Sequence, residues 1–179
     1  MINVNKKIEA LQATDRILLD TNACLFIFGP TPYKYKDPDR SKKYDNSQNK
    51  WGKGNVYICR PVLSEFVNKC RDYHWKRWKR DENPREDGKK DFRNSFYYKN
   101  NKIADLIAQY VMEMLIEIEC CDSEFDKTKT FGFLSEFSKC KMDFNDIIIE
   151  EICKENNLAL VTDDGDFKNC SIPIFTANE

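Results

Sequence analysis

The sequence predicts an α/β protein, with helices layered on both faces of a short central parallel sheet. Two observations carry this. Ile17-Leu18-Leu19, Val56-Tyr57-Ile58-Cys59 and Leu158-Ala159-Leu160-Val161-Thr162 are short, almost unbroken apolar runs. Such runs suit strands covered on both faces. Between them lie stretches with apolar residues at helical spacing, and parallel strands need such crossovers. A chain of 179 residues is expected to form a single domain over 1–179 with a sizeable core.

In order, Asn5 to Gln12 reads as a short leading helix. The first strand, Ile17 to Leu19, runs into Asp20, and Thr21 or Asn22 is placed to cap the helix through Phe28 that Gly29-Pro30 ends. Residues 31–55 are polar and read as a long surface insertion. Val56 to Cys59 is the second strand, and Pro61 suits the start of a helix reaching about Arg80. Leu63, Phe66, Val67, Cys70, Tyr73, His74 and Trp78 mark its buried stripe. Asp81 to Asp91 is a charged linker, so about 75–115 forms an elongated, mainly helical middle. Phe92 to Met114 reads as one helix or two, and Ile116 to Cys120 alternates as a third strand. Helices at Phe131–Phe137 and Phe144–Asn156 precede the fourth strand, Leu158 to Thr162. Ile172-Pro173-Ile174-Phe175 closes the chain as a strand that its proline places at an edge.

Net charge is −1, so any nucleic-acid binding must use a local basic patch. No apolar run is long enough to span a membrane and the start is polar, so a cytoplasmic protein is expected. The eight cysteines form no C-x-x-C pair and there is one histidine, His74, which argues against a structural zinc site. They read as reduced core residues.

The acids carry the chemistry. Asp20 ends the first strand, Asp163, Asp164 and Asp166 follow the fourth, and Glu65 lies in the first turns of the helix after the second. Parallel topology brings these towards one sheet edge. Asp146 opens a helix that follows another helix, so topology does not fix its place. Each acid also has a purely structural reading: Glu65 can pair with Lys69, Asp143 can cap a helix with Asp146 in its first turn, and 163–166 can be an acidic turn. Clustered carboxylates repel one another unless a cation is present, and all-oxygen donors suit Mg²⁺ or Mn²⁺. With no Ser/His/Asp set, metal-assisted phosphodiester hydrolysis is the simplest chemistry available.

Three segments resemble the PIN domain, the metal-dependent nuclease family that includes VapC-type toxins. They are Ile17-Leu18-Leu19-Asp20-Thr21-Asn22, Pro61-Val62-Leu63-Ser64-Glu65-Phe66, and Asp143 to Ile149 together with Leu160 to Phe167. The resemblance implies a PIN-like three-layer fold. It implies Asp20, Glu65, Asp146 and Asp164 as catalytic acids around one or two Mg²⁺ or Mn²⁺, with Asp166 as a further ligand. Thr21, Asn22, Thr162, Asp163 and Asp143 would support them. The insertion and the elongated middle depart from the family pattern. On the helix after the second strand, Lys69, Lys76, Arg77 and Arg80 interleave with Tyr73, Trp75 and Trp78, which suits phosphates and bases. The bland alternative is a solvated face whose aromatic residues lie in the core or in an antitoxin groove.

The expected function is a metal-dependent endoribonuclease, the toxin of a VapBC-type pair, with RNA, an antitoxin and a second copy of the chain as expected partners. An inactive PIN-like scaffold binding RNA or a partner, or a PIN nuclease acting on DNA, is the alternative. A haloacid-dehalogenase-type phosphatase needs a second Asp where Asn22 stands. A phospho-receiver using Asp122 would leave Glu65 and the strand-four acids unexplained.

Overall fold

The computed structural model describes residues 5–31, 33, 36–82, 88–124 and 126–178. Six parallel strands form one sheet, β1 (Asn5–Lys7), β2 (Ile17–Leu19), β3 (Val56–Ile58), β4 (Glu119–Cys120), β5 (Ala159–Val161) and β6 (Ile174–Thr176), in the order β1-β6-β5-β2-β3-β4. Helices complete a three-layer α/β/α arrangement. The described α-helices are α1 (Thr21–Ile27), α2 (Pro38–Gln48), α3 (Arg60–Glu82), α4 (Lys89–Asn94), α5 (Phe96–Asn100), α6 (Ile103–Glu117), α7 (Lys127–Phe137) and α8 (Phe144–Asn156).

The order of the strands positions the site. The chain runs outward from β2 to β3 and β4, then returns to place β5 and β6 on the other side of β2. The sheet therefore switches direction between β2 and β5, whose registers pair Leu19 with Val161. A crevice opens beyond the C-terminal ends of strands at such a point. Asp20 and Thr162 are the next residues on either side of it, and the Asp20 amide still donates to the Val161 carbonyl at 3.0 Å. Ile17, Leu18, Leu19, Leu160 and Val161 are all buried, as unbroken apolar runs demand.

Several expectations change. Asn5 to Gln12 is not a helix but β1 followed by a 3₁₀ turn over Ile8–Ala10. Ile8 and Leu11 are buried, and this spacing imitates a helical face although the backbone pairs with β6. β6 is consequently interior: Pro173 stands just before it, where only its carbonyl is used, accepting from the Leu160 amide. The insertion carries α2, with Asp37 capping the Arg40 amide and Pro38 at its start. α3 opens one residue before Pro61. The linker expectation at 81–91 is divided: α3 reaches Glu82, residues 83–87 lie outside the described residues, and α4 starts at Lys89. The stretch from Phe92 to Met114 holds parts of three helices, and α6 continues through Glu117, leaving β4 only two residues. α7 starts four residues before Phe131. α8 ends at Asn156 and is capped by Asn157, whose φ of 53° places it in the left-handed region and turns the chain straight into β5.

Five cysteines, Cys24, Cys59, Cys70, Cys153 and Cys170, are buried; Cys120 and Cys140 are exposed. His74 is buried, and desolvation lowers its pKa, so it is a neutral core side chain. Among the described residues no helix is long and apolar enough to cross a membrane.

Candidate active site

Asp20 sits between the last residue of β2 and the first turn of α1. Its Oδ1 accepts from the Thr21 amide at 2.6 Å and its Oδ2 from the Thr162 hydroxyl at 2.7 Å. The N-cap bond and the strand-five hydroxyl together fix the carboxylate in one orientation. The Thr162 oxygen in turn accepts from the Asp164 amide at 2.9 Å, so the loop after β5 is tied to Asp20 through one hydroxyl. Thr21, also buried, donates its hydroxyl to Glu65 Oε2 at 3.0 Å. Glu65 Oε1 lies 3.6 Å from Lys69, one turn further along α3. Asp164 closes the other side, its Oδ1 accepting from the Asp166 amide at 3.0 Å.

Asp146, whose place topology leaves open, arrives from the first turn of α8. It lines the same cavity of about 420 Å³ as Asp20, Glu65, Asp164, Asp166, Asn22 and Asp143. Asp143 occupies the N-cap position of α8, but its side chain makes no capping bond and is exposed. Asn145, Phe144 and Phe137 complete the wall. Asn145 and Phe144 are legible only as neighbours of Asp146, and nothing in the sequence marks Phe137.

The electrostatics are those of an uncompensated anionic site. Burial, followed by the charges of Glu65 and Asp164, pushes Asp20 up to about 6 despite its two hydrogen bonds. Burial, then the charges of Asp164 and Asp20, pushes Asp146 up to about 7. Asp20 and Asp146 resist ionising because they are desolvated beside other carboxylates. No lysine or arginine lines this cavity among the described residues. The oxygen donors and the unrelieved negative charge fit a hard divalent cation. The side chains as they stand do not form a finished coordination sphere: among the described residues no three of His, Cys, Asp or Glu are grouped closely enough to hold a metal ion.

Other site candidates lie elsewhere. Asp163 turns away from the cavity. Its Oδ1 accepts from the Thr176 hydroxyl and the Ala177 amide, both at 2.9 Å, and its Oδ2 lies 3.6 Å from Arg40 on α2. With 3% of its side chain exposed, it fastens β5 to β6 and to the insertion. Expected among the residues that support the four acids, Asp163 instead makes its contacts outside the acidic cavity. Lys69 flanks the cavity mouth through Glu65. Lys76, Arg77 and Arg80 are exposed further along α3, roughly 16–22 Å from Glu65 at about 1.5 Å per residue. Arg77 and Arg80 both engage Asp81.

Acids delivered from four segments to the switch point of an all-parallel sheet define the class, and the PIN domain model matches residues 17–172. The chain belongs to the PIN domain family, whose members are generally nucleases and generally use divalent metal ions. VapBC2 from Rickettsia felis, solved bound to a DNA fragment from its promoter, is similar in structure, with a TM-score of 0.51 and 17% identity over 90% of this chain and 98% of the matched chain. At that identity the likeness is one of fold. No curated protein matches the chain.

Proposed function

We propose that this chain is a Mg²⁺- or Mn²⁺-dependent endoribonuclease that acts in the cytoplasm as the toxin of a toxin–antitoxin pair. The observation that carries the reading is the gathering of Asp20, Glu65, Asp146 and Asp164 around one cavity in which two of them are left electrostatically unsatisfied. These four would hold the cation, with Asp166 at the rim. A divalent cation so held supplies Lewis acidity towards an attacking water and the scissile phosphate.

The chain's own residues do the positioning. Thr21 and Thr162 fix the Asp20 carboxylate, and the Thr21 hydroxyl holds Glu65 beside it. Asn22 offers an uncharged amide at the cavity wall, where a water or a phosphate oxygen can be oriented without adding charge. Lys69 at the mouth and Lys76, Arg77 and Arg80 along α3 supply cations to follow an RNA backbone.

The toxin–antitoxin part rests on the fold likeness to VapBC2 and on exposed apolar residues of α7. Phe131, Leu134 and Phe137 are 70%, 48% and 45% exposed, and Phe137 borders the cavity. Such a stripe suits a protein partner.

The test is cleavage of a mixed RNA and single-stranded DNA panel with Mg²⁺, Mn²⁺ or EDTA. RNA should be cut with either metal and not with EDTA, and Asp20→Asn should remove cleavage while leaving RNA binding largely intact. Cleavage that persists in EDTA, or a protein that binds RNA yet never cuts it, would overturn the reading.

A further inference from the structure

The insertion does more than lengthen the chain. Its start, with α1 and the loop after β5, encloses a second cavity of about 400 Å³ whose lining includes Asn22, Phe26, Tyr33, Lys36, Arg40 and the carboxylates of Asp37 and Asp163. That is within the range of a small-ligand pocket. It adjoins the acidic cavity. Asn22 lines both, and the consecutive residues Asp163 and Asp164 each face one of them.

The chemistry of its walls differs from that of the acidic cavity. Phe26 and Tyr33 present half-buried rings. Tyr33 is braced against α3 through Tyr73, at 6.2 Å between centroids, and through the Lys69 carbonyl, at 3.5 Å. Arg40 is held over Phe26 at 5.7 Å and shared between Asp37 and Asp163, so its guanidinium is fixed and largely neutralised. Lys36 is exposed at the rim and makes no ion pair among the described residues. A third cavity on the far side of the same loop also carries lysines, Lys7 and Lys168, but no aromatic ring.

A polyanion whose scissile phosphate enters the acidic cavity needs a cation and a stacking surface within one nucleotide's reach, and this pocket offers both. Resting on the nuclease reading above, we infer that it is a nucleotide subsite: it takes the base next to the cut against the Tyr33 ring, with Phe26, held by Tyr44 and Arg40, as the apolar floor and Lys36 on the adjoining phosphate. Base preference at the cut would then reside in the insertion.

The experiment follows cleavage of a randomised RNA library with Mn²⁺ by the full chain, alongside binding of the same library in EDTA and cleavage of a dinucleotide. Tyr33→Ala and Lys36→Glu should each raise KM on the library by about tenfold, the scale of one lost stacking or phosphate contact. Both should flatten base preference at the same position beside the cut, with kcat on the dinucleotide little changed. Lys42→Glu, an exposed charge reversal on α2 outside the pocket, is the control. If wild type cleaves and the two variants behave as Lys42→Glu does, the subsite is refuted and the nuclease stands. If wild type cleaves nothing, the nuclease reading falls and the subsite with it. Lys36→Glu is on the surface, so its result holds even if Tyr33→Ala fails to fold.

Discussion

Asp163 and Asp164 are neighbours in sequence and belong to regions that treat charge in opposite ways. On the α2 side, Asp163 is almost fully enclosed, yet two donors and Arg40 answer its carboxylate. On the other side, Asp20 and Asp146 are desolvated among further acids, and both are displaced upward in pKa. Burial of a carboxylate thus has two meanings in this molecule. Where partners surround it, the acid fastens elements together. Where other acids surround it, the fold carries a local strain that only a proton or a cation relieves.

The comparison breaks most visibly in activity. Asp146→Asn should lower metal-dependent RNA cleavage by about 100-fold or more, the range over which proton-transfer and charge-stabilising groups act. The folded protein should remain at least as stable without metal. If Asp146→Asn cleaves normally, the acidic cavity is not where the chemistry happens.

Asp163→Ala should do the reverse. It leaves the Thr176 hydroxyl and the Ala177 amide without their acceptor and Arg40 with Asp37 alone, and should cost about 2 kcal/mol in urea unfolding. Specific cleavage by the fraction still folded should change much less. A neutral result would remove the structural role assigned here.

Thr162→Val tests the link between the two regions, because its hydroxyl bridges Asp20 and the Asp164 amide. Loss of a group that orients a ligand typically weakens metal affinity about 10- to 100-fold. A calorimetric metal titration of wild type and variant measures this directly, and equal affinities would make the bridge incidental.

The smallest effect is pH-dependent. In the unfolded chain these aspartates titrate near 4, whereas Asp20 and Asp146 sit at about 6 and about 7 when folded. The folded state therefore binds protons more tightly. The stabilisation is full below the unfolded values and is lost as pH rises through about 6 to 7. In EDTA the melting temperature should fall by at least about 2–4 °C from pH 5 to pH 8, roughly 1 kcal/mol for a chain of this size. Mg²⁺ should restore part of it at the upper end. Asp146→Asn should flatten both responses, and a pH profile identical to wild type would detach Asp146 from the effect.

What was legible beforehand follows the same division. Ile17–Leu19 and Leu158–Val161 announce buried strands by composition alone, so the sheet centre and the acids just past it could be read. Asp146 could be suspected from its spacing but not placed, because its position depends on how α7 delivers α8. α2 was illegible for a different reason. Its one deeply buried aromatic, Tyr44, stacks on Phe26 at 5.4 Å, and its remaining residues are polar or proline. A helix whose buried face is Ser41, Tyr44 and Ser47 leaves no apolar periodic trace. Asn5–Lys7 misled because Ile8 and Leu11 beside it supply a helical spacing, while the strand's identity lies in a partner at the other end of the chain.

That partner has a consequence for how the protein comes into being. β1 pairs with β6, and the Lys43 ammonium and the Asp163 carboxylate both reach Ala177. Every other strand would therefore leave the ribosome before β1 found its neighbour, and pairings so distant in sequence form slowly. The loop carrying Asp164 is anchored through that late-arriving stretch. A nascent chain would thus carry its acidic cavity with the Asp164 loop unanchored until β6 and Ala177 had been made, a delay built into the order of synthesis.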